Sequence, residues 1–218
     1  MAKKELEKRS YSFEIRAEES EGSGVITGRP IVYNSRTDLG YFDEIIDSGA
    51  LDNTDLTDVR FLVNHDLSKI PLARSRRNTP NSTMQLTTDA MGLAIRVNLD
   101  IENNAEARSL YSSVQRGDIT GMSFMFGIDA EKWENLESDH PTRHIEAIST
   151  VVEVSAVTFP AYEATEINAR SKEALENAKK ALENARSAND TDQVDTRSEE
   201  LELLKLKSQS IYLGGKLL

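Results

Sequence analysis

The chain has 218 residues, 38% of them hydrophobic and 29% charged, with a formal net charge of −11 and no cysteine. Its length admits one sizeable core with an appendage, or two small domains, and the missing cysteines exclude a disulfide framework, a thiol nucleophile and every thiolate metal site. The acidity argues against a general nucleic-acid binder, which needs a clustered basic surface.

No window approaches 18 uncharged apolar residues, and Met1 to Glu7 has no apolar stretch after its lysines. Neither a membrane span nor a signal peptide is expected, and the expected location is intracellular. The basic run Arg74-Ser75-Arg76-Arg77 lacks interleaved aromatics and reads as a solvated loop.

Residues 10 to 16 alternate as a half-buried strand, and Gly22-Ser23-Gly24 turns into a second, Val25 to Tyr33, where Pro30 predicts an edge or a bulge. After a polar turn from Asn34 to Gly40, Tyr41 to Asp47 reads as a strand entering a short helix at Ser48 to Leu51. Val59 to His65 is a mostly apolar run ending in a histidine, read as a buried strand. Residues 66 to 82, with Pro71 and Pro80, are loop-like; 83 to 87 and 91 to 99 form a hairpin turned by Thr88-Asp89-Ala90. Asn103 or Asn104 caps a helix through Ala105, Leu110 and Val114, and Gly117 stands where a left-handed C-terminal residue is favoured.

The next strand carries the out-of-place hydroxyl. In Asp118 to Ile128, period two puts Met122, Phe124, Phe126 and Ile128 on a core face and Ile119, Gly121, Ser123, Met125 and Gly127 on the other. Glycines two before and four after Ser123 leave room for another backbone beside its hydroxyl, which suits a nucleophile; an ordinary serine hydrogen-bonded in a tight strand also fits. A polar excursion from Asp129 to Arg143 leads to a long strand, Ile145 to Phe159, closed by Pro160. Six or more strands, two short helices and no regular βαβ alternation favour an α+β protein on an antiparallel sheet or barrel.

Beyond Tyr162, Ala174-Leu175-Glu176-Asn177-Ala178 is echoed by Ala181-Leu182-Glu183-Asn184-Ala185, a narrow apolar stripe on a charged helix. A polar linker, Ala188 to Thr196, precedes a second amphipathic segment with Leu201, Leu203, Leu204 and Leu206. Two heptads are too few for a stable coiled coil, so residues 166–218 read as a docking arm or removable segment after a domain at 1–165.

A serine needs a base to take its proton, and histidine suits that role at neutral pH. Of the three histidines, His140 and His144 flank Pro141, which disfavours one helical face for a metal pair. His65 ends a buried strand, at the mouth of a sheet. Glu153, in the apolar run Val151 to Val157, must be paired or hydrogen-bonded to offset its desolvation unless it faces solvent, as Glu146 is expected to. An imidazole partner would make it the orienting acid of a serine nucleophile.

Asn64-His65-Asp66, Gly121-Met122-Ser123-Phe124 and Glu153-Val154-Ser155 through Thr158-Phe159-Pro160-Ala161-Tyr162 resemble the signature blocks of the prohead maturation proteases of tailed phages. Tyr41 to Ile46 and Pro71-Leu72-Ala73-Arg74 fit the same pattern, and the likeness spans roughly residues 10 to 165. Met125 departs from the glycine expected there. The resemblance implies a fold like the herpesvirus assemblins, mainly an antiparallel β-barrel surrounded by short helices, here with a helical C-terminal tail. It implies His65 as base, Ser123 as nucleophile and Glu153 as third member, with no cofactor or metal. It also implies a serine endopeptidase packaged in the procapsid in the host cytoplasm, which cleaves the scaffolding segment of the major capsid protein and then itself, with self-association possible. Composition alone equally admits a non-enzymatic capsid scaffold or assembly protein, and, less well, a metal-dependent hydrolase using His140 and His144.

Overall fold

Alternating and continuous apolar runs become strands, and those strands divide between two sheets. The structure, a computed structural model, describes residues 6–11, 15–20, 23–158 and 175–189. The elements in chain order are β1 (Leu6–Tyr11), β2 (Ile15–Ser20), β3 (Ser23–Val32), β4 (Arg36–Asp38), β5 (Asp43–Ile46), β6 (Asp58–Val63), β7 (Ala73–Arg76), β8 (Met84–Asp89), β9 (Gly92–Leu99), α1 (Ala105–Arg116), β10 (Gly121–Glu134) and β11 (Thr142–Val157). A second helix, α2, covers residues 175–189.

One sheet runs β1-β10-β11-β5-β4, with β6 also pairing β11 and β7 pairing β6; the other runs β2-β3-β9-β8. At 16 residues β11 is long enough to pair twice on one edge. Its first half meets β5 and its second half meets β6, both in parallel. Its other edge carries β10 in an antiparallel ladder with several bulges. The α+β class is therefore as expected, but the closed barrel is not formed: among the described residues neither sheet closes on itself. At one of the two junctions the sheets would need, the reason is local. Where β7 faces β8, side chains replace a backbone ladder, with Thr83 Oγ1 accepting the Arg74 N–H at 2.9 Å and Ser82 Oγ accepting the Arg76 N–H at 3.1 Å.

The core fills the space between the sheets and under α1. Ile26, Ile31, Leu93 and Val97 of the second sheet, Phe61, Phe124 and Val154 of the first, and Ala107, Leu110 and Val114 of α1 belong to one buried cluster. Helix α1 starts where the Asn104 side chain accepts the backbone N–H groups of Glu106 and Ala107, and stops at Gly117, whose φ of 79° is left-handed. Pro30 sits at the expected bulge, where the β3–β9 register shifts between Gly28 and Ile31. Further along, opposite Val32, Gly92 has φ 130° and would place a Cβ 2.1 Å from the Ile31 carbonyl oxygen, so no side chain fits there.

Five further expectations change. Residues 48–51 form successive turns rather than a helix. β7 lies inside the stretch read as loop, stabilised by Arg74 binding Asp58, so the basic run is in part a strand. The hairpin turns at 90–91, and β10 and β11 run through most of the polar excursion as a two-stranded arm. The strand expected at 10–16 is two strands, and residues 12–14 between them lie outside the described residues.

Helix α2 presents the expected Ala/Leu stripe to the protein's own β arm. Ala178 and Leu182 bury against Phe42, with Leu39, Trp133, Leu136 and Ala181 around them. The Arg186 guanidinium donates to the carbonyls of Leu136 at 3.1 Å and Ser138 at 2.8 Å. The linker and the leucine-rich segment at 201–206 lie outside the described residues.

Candidate active site

Three neighbouring segments of the first sheet bring the odd polar groups together. Ser123 on β10 stands opposite Ser155 on β11, and Met125 stands opposite Glu153, so Ser123, Ser155 and Glu153 share one face. On the other edge of β11, β6 pairs Arg60 with Glu153 and Leu62 with Ser155. The chain then leaves β6 through Asn64 and His65, both left-handed with φ of 52° and 57°. That conformation is uncommon for histidine and costs on the order of 1 kcal/mol. It turns the imidazole back over β11 instead of letting the strand continue. His65 thus belongs to the turn after the strand and not, as its apolar run suggested, to the strand's last position.

The imidazole is held at three points. Its Nδ1 is 2.5 Å from Glu153 Oε1, its Nε2 meets Ser123 Oγ in a very short contact, and the His65 backbone N–H donates to Ser155 Oγ at 3.1 Å. Ser155 Oγ in turn donates to Glu153 Oε2 at 2.6 Å. With Nδ1–H donating to the carboxylate, Nε2 presents its lone pair to the serine hydroxyl. Glu153 and Ser123 are fully buried and the His65 side chain is 14% exposed. The carboxylate is thus paired on both oxygens, as its desolvation requires. Ser155 was not singled out from the sequence, although its i+2 spacing from Glu153 puts it on the same face.

The Ser123 hydroxyl has a second acceptor, the Arg9 carbonyl oxygen of β1 at 2.7 Å. β1 lies along β10 in antiparallel register from Leu6↔Gly127 to Tyr11↔Met122. It is anchored by a buried ion network that the sequence did not reveal. Arg9 donates through Nε and Nη2 to the two Glu44 carboxylate oxygens at 2.5 and 2.8 Å, and it also pairs with Glu7. Arg143 on β11 binds Glu7 at 3.0 Å, Glu44 at 3.3 Å and Glu131. The Arg9 guanidinium stacks 5.6 Å over the Phe126 ring, and that of Arg143 lies 5.6 Å over Trp133. Burial alone would raise the Glu7 carboxyl; Arg9 and Arg143 outweigh it and hold the pKa down at about 2.

The remaining candidates stay apart. His144 Nδ1 is 2.8 Å from Asp47, whereas His140 Nε2 is 3.2 Å from Asp43, so the two histidines serve different carboxylates. Asp38, Asp43 and His140 bring ligand-type atoms within 4.8 Å of one another, but Asp43 is engaged by Arg36 at 2.7 Å. Glu146 is exposed, as expected.

A hydroxyl, an imidazole and a buried carboxylate in one hydrogen-bonded line form a constellation of the serine-hydrolase class, able to move a proton from Oγ to Nε2 while the carboxylate stabilises the imidazolium. The family described as the caudovirus prohead serine proteases matches residues 11–181, and the chain belongs to that family, bacteriophage serine proteases of capsid maturation. Among solved structures, the capsid assembly protease of bacteriophage T4 aligns with a TM-score of 0.39 at 10% identity, covering 70% of this chain and 97% of that one. No curated protein matches the chain.

Proposed function

We propose that the chain is the serine endopeptidase that cleaves the scaffolding segment of a phage major capsid protein during procapsid maturation and afterwards cleaves itself. The observation that carries the reading is the continuous line Ser123–His65–Glu153. Ser123 Oγ attacks the scissile carbonyl carbon as its proton passes to His65 Nε2. The tetrahedral intermediate collapses to an acyl-enzyme as His65 returns that proton to the leaving amine. Water, deprotonated by the same imidazole, then attacks the ester carbonyl, and the acid product leaves with Ser123 reprotonated. Glu153 fixes the tautomer, and Ser155 positions the carboxylate and the His65 backbone.

The substrate partner is the capsid protein and the place of action is the inside of the assembling procapsid in the host cell, as family membership supports. Residues 1–165 form the protease domain and 166–218 the tail. The docking of α2 over Phe42 and Trp133 supports a tail that is first held on its own domain and then released by cleavage beyond it. The rival, a non-enzymatic scaffold, makes the opposite forecast in one experiment. Purified wild type and Ser123→Ala are incubated with capsid protein and followed by mass spectrometry. Cleavage of substrate and chain is expected from the wild type and a loss of roughly 10³-fold or more from the variant at unchanged melting temperature. Near-normal cleavage by Ser123→Ala overturns the assignment.

A further inference from the structure

A nucleophile must be reached by a peptide carbonyl carbon, yet Ser123 has no exposed surface. Its cover on the open edge of β10 is the chain's own first strand. β11 takes one edge of β10; β1 takes the other, pairing residue for residue from Gly127 back to Met122 and placing the Arg9 carbonyl oxygen against the nucleophile. The family match begins at residue 11, so β1 lies outside the matched segment except for its last residue.

We infer that this edge of β10, Gly121 to Gly127, is the seat of the substrate's extended backbone, and that residues 6–11 keep the protease latent by occupying it. The inference rests on Ser123 being the nucleophile. An antiparallel ladder is indifferent to sequence and serves any extended peptide. Discrimination comes from alternate side chains. On the side away from Ser123, the seat meets the occupant with Glu44, which takes Arg9, and Arg143, which takes Glu7. The favoured substrate is therefore an extended peptide with an acid and, two residues later, a base. Glu7-Lys8-Arg9 is the chain's own imitation of it. A tethered strand competes at an effective concentration on the order of millimolar, so a free peptide at micromolar levels is largely excluded until β1 is displaced. Dense packing of capsid protein in a shell supplies the local concentration that tips this balance.

The absence of cysteine permits a reversible test. Lys8 and Met125 are cross-strand partners on the Ser123 face, and Lys8 is exposed while Met125 is 5% exposed. Opposed antiparallel positions have Cα atoms about 4.5–5.5 Å apart, within the range a disulfide spans. In the full chain carrying Lys8→Cys and Met125→Cys, the reduced form is expected to cleave a synthetic peptide containing Glu-Lys-Arg supplied at about millimolar concentration, where it competes with the tethered strand. Oxidation is expected to slow cleavage by about two orders of magnitude, in line with a permanently seated competitor, and reductant to restore it. The cysteine-free wild type controls for the oxidant. The same pair with Ser123→Ala reads binding without chemistry: fluorescence anisotropy of the labelled peptide, titrated with chain up to about millimolar to match the tethered competitor, is expected to rise with the reduced chain and not with the oxidised one. Equal cleavage in both redox states, equal binding in both, or binding in neither overturns the seat. Redox-dependent binding without cleavage by the reduced parent leaves the seat standing and overturns the protease reading instead.

Discussion

Glu7 offers a perturbation whose size follows from its surroundings. Its carboxyl is held at about 2, against an ordinary value of 4.5, because Arg9 and Arg143 outweigh its burial, and its side chain is 22% exposed. A depressed carboxylate stabilises the folded chain above its unfolded pKa, and that stability is lost as pH falls through the folded value. At about 1.4 kcal/mol per pH unit, the contribution is about 3 kcal/mol near neutrality and falls to about 1 kcal/mol at pH 3. Glu7→Gln keeps the shape and removes the charge. Equilibrium urea unfolding of wild type and variant is expected to show a gap of about 3 kcal/mol at pH 6.5 that closes to about 1 kcal/mol at pH 3. A gap of the same size at both pH values would refute the argument, because a purely steric loss does not titrate.

Glu153→Gln is expected to fold but to lower kcat/KM by roughly 10²- to 10⁴-fold in peptide hydrolysis, since the amide no longer stabilises the imidazolium; full activity moves the third role elsewhere. Ser155→Ala removes the donor to Glu153 and the acceptor of the His65 N–H. It should lower kcat roughly 10-fold with KM unchanged, the size of a lost hydrogen bond to a charged group, measurable by steady-state kinetics. Leu182→Asp puts a charge into the Phe42–Trp133 cluster and should release α2. Limited proteolysis is then expected to cut within 175–189 many times faster while the melting temperature of the β domain changes little; unchanged proteolysis counts against docking of the tail on its own domain.

What the sequence disclosed about the site was chemical and what it withheld was geometric. Glu153 announced itself because a carboxylate inside an apolar strand demands a partner. His65 and Ser123 were recognisable by their positions in apolar runs and by the resemblance of their surrounding blocks. The positive φ at Asn64 and His65 was not legible, since neither is glycine, and it is this turn that aims the ring. β7 was hidden because ion pairing to Asp58 compensates for a short, polar and arginine-rich strand. The anchoring of β1 was unreadable for a different reason: its partners Glu44 and Arg143 lie far along the chain, and no local period encodes such a network. The two sheets carry no backbone ladder between them, and at the β7–β8 seam the side-chain bridge that stands in for one looks the same in sequence as a ladder.

Under the proposed mechanism the position of β11 also dates the appearance of activity during synthesis. The proposed base lies 58 residues from the proposed nucleophile and 88 from the proposed orienting acid, and both that acid and Ser155 stand on β11, the last of the described strands. A growing chain that has released β10 has made the serine and the histidine but has nothing to anchor the ring. Parallel pairing of β6 with β11 closes a long loop and comes late in folding. On the proposed mechanism a ribosome-bound or half-folded chain is therefore chemically mute, and cleavage competence arrives only once β11 is in place. Timing here is written into strand order, ahead of any partner or inhibitor.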